Sequence, residues 1–252
     1  MRIPLHRRDF CYNKWDYTGK AWSEMLRILR YDRPKRDKID DPIRFGEIDG
    51  SGQYHLVQER SFWAPWVCCH TTGQFSQVAG IRYYNNCGPT ALTNLVCMYR
   101  ARFLLQPDNL IDAREIYGYT APYGSHHLFY VNLNNRFLHG SSDIRCGRYI
   151  RKVFRKLLDV RPKIRLRRIT SKNIRNTIDR KGLLYLMLWG HPEYGSHHLI
   201  GHGYRILRSE TGRDKTFLAV SDGHNASIRY LDMDDFRNRL AFYREIIFPK
   251  DQ

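Results

Sequence analysis

The chain has 252 residues, 42% hydrophobic and 13% aromatic, which is enough to build a core and excludes a disordered chain. Lys and Arg outnumber Asp and Glu by 42 to 25, and the net charge of +17 predicts attraction to polyanions or acidic partners without bearing on fold. No apolar run is long enough to span a membrane, and six cysteines with irregular spacing and no CxxC pair support neither a disulfide framework nor a structural zinc module.

The first twenty residues, "MRIPLHRRDFCYNKWDYTGK", have basic residues but no apolar core segment behind them, so no secretory signal is visible. A cytoplasmic setting with mostly reduced thiols is the expectation. A short amphipathic helix is predicted near "AWSEMLRIL", followed by the charge-dense, proline-containing "LRYDRPKRDKIDDPIR", which reads as a linker. The aromatic "HLVQERSFWAPWVCC" reads as a strand or arm. Residues 1–70 are therefore read as an extension of unknown role, and 71–252 as the main domain.

The main domain opens with helical signals. "CGPTALTNLVCMYRARFLL" predicts a helix starting near Pro89, since proline suits the first turn. Ala91, Leu92, Leu95, Val96 and Tyr99 recur at helical spacing and predict one buried face. A second helix is predicted at "RYIRKVFRKLLDV". A third follows in "SKNIRNTIDRKG", with Ser171 as N-cap and Gly182 as the stop. Then come short apolar runs separated by turn residues: "LLYLMLW", "HLIGHGYRIL", "TFLAVSD", "SIRYLDM" and "REIIF". They predict one mainly antiparallel sheet, with a short helix at "DDFRNRLAF" before its last strand. Helices first and strands after give an α+β fold.

The chemistry concentrates at three places. Cys87, in "YYNNCGPTAL", stands just before a helix start, where the helix dipole and open backbone N–H groups lower a thiol pKa and can hold an oxyanion. As a residue type, a cysteine there is as often a small buried hydrophobe. A thiolate nucleophile needs a base. "YGSHHLIGHGY" offers His197 at the head of an apolar strand. There His197 and Leu199 share one face, and His198 and Ile200 the other. Asp222, in "VSDGHNAS", ends the next strand, where its carboxylate can orient an imidazole; its simpler reading is turn chemistry.

Together "NNCGPTA", "YGSHHLIGHGY" and "VSDGHNAS" resemble the papain-like cysteine peptidases of the double-glycine leader peptidase type, here without a transporter. The resemblance covers about residues 71–250. It implies a papain-like fold, with a helical lobe carrying the cysteine packed on a sheet carrying the histidine and aspartate. It also implies Cys87 as nucleophile, His197 as base, Asp222 as orienting residue, no cofactor, no metal, and a peptide or protein substrate. One element departs from the pattern. The position six before the nucleophile, where the family carries an oxyanion-binding Gln, is Ile81. Gln77 is the favoured substitute, with Gln74, Asn85 and Asn86 as other amides in reach.

The same dyad serves amidases and acyltransferases. A binding module that keeps the scaffold without its chemistry is a further alternative, with nucleic acid or an acidic partner attracted by clusters such as "RKVFRKLLDVRPKIRLRR"; a solvated helix face is the plainer reading of that run. The hexapeptide "YGSHHL" occurs twice, from Tyr123 and from Tyr194. A zinc site of His126, His127, His197 and His198 is disfavoured, because adjacent strand histidines point apart. The first copy is expected to be a loop. "CCH" at Cys68–His70 reads as packing or a redox-sensitive spot, and Cys97 as core.

Overall fold

The computed structural model describes residues 54–63, 67–78, 81–82, 86–106, 108–127, 143–191, 194–236 and 241–249. The helix expected at "AWSEMLRIL" lies outside them. Four α-helices are described: α1 (Cys87–Phe103), α2 (Leu110–His127), α3 (Asp143–Leu158) and α4 (Ser171–Asp179). Helix α1 starts at Cys87 itself, two residues before the expected proline. Helix α3 begins earlier than expected, and buries Cys146, Tyr149, Ile150, Val153 and Phe154 at regular helical spacing. Thr170, not Ser171, caps α4: its side chain accepts from the Asn173 backbone N–H.

Seven strands form one antiparallel sheet: β1 (Tyr54–Arg60), β4 (Lys163–Arg168), β5 (Leu183–His191), β6 (Gly195–Ser209), β7 (Asp214–Ser221), β8 (Arg229–Asp232) and β9 (Phe242–Ile247). The order is β4–β9–β5–β6–β7–β8, and β1 joins on β6. A separate two-stranded ribbon pairs β2 (Gln77–Val78) with β3 (Ile81–Arg82). The fold is therefore α+β with a mostly antiparallel sheet, as the order of signals predicts. Only the 3-10 turn Met233–Phe236 is described where a short helix is expected near the C-terminus.

One strand has no counterpart in the sequence expectations, and another falls where a strand or arm is expected. β4, "KIRLRR", is basic enough to pass for a solvated face, yet it pairs with β9 along its length. β1 lies in the segment read as an extension. It pairs with residues 204–209 of β6, continuing the edge on which β5 pairs with residues 195–201. Trp63 and Cys68, just after it, are fully buried in the main core. Among the described residues, β1, Trp63 and Cys68 therefore pack with the main body. Where the partner of β6 changes, a Cβ on Gly203 would stand 2.9 Å from the Arg60 carbonyl oxygen, so the close crossing requires glycine there.

The sheet separates two cores. On one face α1, α2 and α3 pack against Leu183, Tyr185, Ile200 and Ile246. On the other, Ile174 and Ile178 of α4 pack against Leu184, Leu186, Leu188, Leu199 and Val220. Helix α1 is buried nearly all round, from Gly88 to Tyr99, rather than along one stripe. Fully burying one of its leucines is worth roughly 1.5–3 kcal/mol. Two of its buried polar side chains are paired, Thr93 with the Thr120 hydroxyl at 3.1 Å and Asn94 with the His70 backbone, while the buried Thr90 hydroxyl has no hydrogen-bond partner among the described residues. Among the described residues no helix is long and apolar enough to cross a membrane.

Candidate active site

The N-terminus of α1 is open by construction. Asn86 precedes it without capping it; its side-chain amide donates instead to the Thr72 carbonyl at 3.0 Å. The first-turn N–H groups are left to other acceptors, and the Cys87 sulfur is one. It is met by the backbone N–H groups of His198, Gly88 and Cys87 itself. Burial pushes this thiol up from the ordinary cysteine range, and the three N–H groups pull it partway back. The residue as a whole remains partly exposed. Burial is the larger of the two influences on the Cys87 thiol, and the backbone N–H groups oppose it.

Strand register decides which histidine faces it. His198 pairs with Met187 and His197 with Leu188. Side chains opposite one another in a ladder share a face. Leu188 and Leu199 belong to the α4 core, Tyr185 and Ile200 to the α1 core. His198 is therefore on the α1 face, its ring 5.5 Å from that of Tyr185. Tyr185 in turn donates its hydroxyl to the Gly88 carbonyl at 3.3 Å, which ties β5 to the residue beside the thiol.

His197 points to the opposite face. Its ring stacks on Tyr194 at 5.7 Å and 8°, and meets His224 at 4.0 Å. His197 Nε2 lies 2.5 Å from the Asp222 backbone oxygen, so Nε2 is the protonated nitrogen, since a carbonyl can only accept. The structure thus joins His197 to Asp222 through the Asp222 backbone oxygen, on the strand face opposite that of His198. The Asp222 carboxylate accepts from His224 N at 2.8 Å, Asn225 N at 2.8 Å, Asn225 Nδ2 at 2.9 Å and the Tyr194 hydroxyl at 3.1 Å. This is turn chemistry, the simpler of the two readings of "DGHN".

That turn nonetheless abuts the thiol's helix. Gly223 has φ +67°, and a Cβ there would meet Thr90 of α1 at 3.3 Å. Its carbonyl accepts from Thr72 N at 2.7 Å, and Thr72 is also the acceptor of the Asn86 amide. Next to it, Ser221 accepts from Asn94 Nδ2 at 3.2 Å. The Cys69 thiol, hydrogen-bonded to Ser221, is pushed up to about 11, chiefly by burial.

The oxyanion candidates fare unevenly. Gln77 lies in β2 opposite Arg82; its side chain lies outside the described residues, as does all of Asn85. Gln74 uses its carbonyl oxygen to accept from Thr71 N at 2.7 Å, and Asn86 is committed to Thr72. The donors gathered at the sulfur are backbone N–H groups. The first "YGSHHL" is helical through His127, at the end of α2, not a loop; the side chains of His126 and His127 lie outside the described residues.

The sequence reading passed over His198 and Tyr185. The alternation that separates His197 from His198 was already legible, and Ile200 in the core of the α1 face is what assigns the faces. His202, three residues past Leu199, is fully buried, and burial lowers its pKa to about 3, so it stays neutral. Basic residues Arg148, Arg151, Lys152, Arg155 and Lys156 are exposed along α3, as the solvated-face reading expects. Compared with known proteins, the chain matches no family model and no curated protein.

Proposed function

We propose that the chain is a cysteine peptidase of papain-like architecture, with Cys87 as nucleophile and His198, rather than His197, as the base. The observation that carries this reading is the surround of the Cys87 sulfur. It sits at the N-terminus of a buried helix, where backbone N–H groups of Gly88 and of His198 itself act on it, and the His198 ring lies on the α1 face of the sheet. The arrangement of a cysteine-bearing central helix against an antiparallel sheet supports the papain-like assignment that the motifs suggest.

In this mechanism the thiol is neutral at rest, and the imidazole acts as a general base. As the sulfur attacks the scissile carbonyl carbon, the thiol proton passes to His198. The carbonyl oxygen becomes an oxyanion stabilised by backbone N–H groups at the start of α1. Collapse breaks the C–N bond, and the proton on His198 goes to the departing amine. Water then attacks the thioester, with His198 again taking a proton, and free thiol and a carboxylic acid result. Tyr185 holds Gly88 in place, while His197 and Asp222 fix the turn that closes against Thr90. These are positioning roles. No step requires a cofactor. An amine acceptor in place of water turns the same chemistry into acyl transfer.

The test is a digest of a peptide library by wild-type protein and by Cys87→Ala, read by mass spectrometry with and without an added amine. The proposal expects cleavage that the variant lacks. Equal product patterns from both proteins, or salt-dependent nucleic-acid binding with no reaction toward peptidyl thiol-directed inhibitors, would replace it by the binding-module reading.

A further inference from the structure

A second cluster of cysteine, histidine and carboxylate lies further along α1 from the Cys87 sulfur. Cys97 is ten residues beyond Cys87 on α1, or about 15 Å along the helix axis. Beside it runs the segment Cys68-Cys69-His70. The Asn94 side chain clamps this segment by accepting from His70 N at 3.0 Å and donating to His70 O at 2.9 Å. His70 Nε2 is 2.8 Å from Asp108 Oδ1. One donor atom each from His70, Cys97 and Asp108 all lie within 4.8 Å of one another. Cys68 is buried beside them, where Cys97 and Asp108 both act on its thiol, but its sulfur stands outside the group of atoms within 4.8 Å of one another.

We propose that Cys68, His70, Cys97 and Asp108 form a structural metal site for zinc or a divalent ion of similar softness. The donor chemistry selects the ion. Two thiolates and an imidazole favour zinc over magnesium or calcium, which require oxygen ligands. Four protein donors close a tetrahedral shell and leave no position for substrate. Ligand atoms in such shells stand roughly 3.3–3.8 Å apart, so His70, Cys97 and Asp108 require a modest contraction, and Cys68 has to move in to complete the shell. Three of the four donors are buried, and Asp108 reaches in from the loop after α1. Binding displaces the two thiol protons to solvent. The ion would bolt the 67–70 segment and the Asp108 loop to the middle of α1. Motif scanning misses the site because the cysteines are 29 residues apart and no CxxC pair marks it.

The experiment uses the full chain purified under reducing conditions, loaded with zinc chloride, desalted, and measured for metal content. About one zinc per chain is expected. Cobalt(II) loading should give thiolate-to-cobalt charge-transfer absorption. Cys97→Ala and Asp108→Ala should each lower zinc affinity by more than the roughly 10–100-fold that losing a mere outer partner costs, while Cys87→Ala keeps the metal. Should a variant fail to fold, the wild-type cobalt spectrum decides alone. The proposal falls if wild-type protein holds no stoichiometric metal. It falls equally if both ligand variants bind as wild type does, or if peptide mapping finds Cys68 and Cys97 joined in a disulfide.

Discussion

Helix α1 carries two cysteines in opposite circumstances. Cys87 stands at its first position, partly exposed, where backbone N–H groups have no helical acceptor. Cys97 stands mid-helix, buried, with its own backbone satisfied, and its sulfur faces another thiol, an imidazole and a carboxylate. Burial raises both thiols, but only Cys87 has backbone dipoles pulling against it. The residue type is the same; position along one helix divides it into a candidate nucleophile and a candidate ligand.

The largest effects should come from removing each sulfur. Cys87→Ala is expected to reduce peptide cleavage by at least about 10⁴-fold, with the thermal midpoint unchanged within a degree or so. Cys97→Ala should do the reverse, losing about 1–2 kcal/mol of stability from the small cavity alone, with more lost if metal is bound. A Cys97→Ala protein as stable as wild type would erase the distinction.

Alkylation sharpens it further. Cys87 should react with iodoacetamide well before Cys97 in native protein. Because burial outweighs the N–H groups at Cys87, its rate should climb through pH 9 rather than level off in the acid range. A plateau extending to mildly acidic pH would indicate a preformed thiolate–imidazolium pair and remove the neutral-thiol mechanism, though not the nucleophile.

A smaller effect concerns His202, which is neutral in the fold with a pKa of about 3. The unfolded chain binds this proton near the usual histidine pKa of about 6.5, so the unfolded state gains a proton the native state refuses. The contribution of His202 is fully favourable above about pH 6.5 and falls by about 1.4 kcal/mol per pH unit on acidification, until the pH nears 3. Urea denaturation of wild type and His202→Leu at pH 7 and pH 5 should show a flatter pH dependence in the variant. Parallel slopes would show that His202 is not desolvated.

How much was legible follows from these same residues. The α+β class, the sheet from β5 to β9 and the Cys87 helix all carry strong local signals: alternation, turn residues, and a proline near a helix start. β4 is not legible because its charge masks a strand whose pairing is with a distant partner, whereas β1 falls in the segment read as a strand or arm, its partner β6 unforeseen. The two copies of "YGSHHL" show the limit directly. One ends helix α2, while the other enters β6, so identical residues take different structures from different surroundings. At the candidate site, alternation separated His197 from His198, but only the packing of Ile200 against the α1 core told which face the thiol shares. The ligand cluster was illegible because His70, Cys97 and Asp108 meet only after folding.

The central claim is that Cys87 works with the histidine on its own face. The direct test is cleavage of one library-derived peptide by His198→Gln and His197→Gln, each checked for native thermal midpoint. The account predicts a loss of roughly 10²–10⁴-fold in kcat/KM for His198→Gln, the usual range for a removed general base, and a loss below about tenfold for His197→Gln, whose side chain braces the Asp222 turn. A His197→Gln protein as inactive as Cys87→Ala, beside an active His198→Gln, would contradict it.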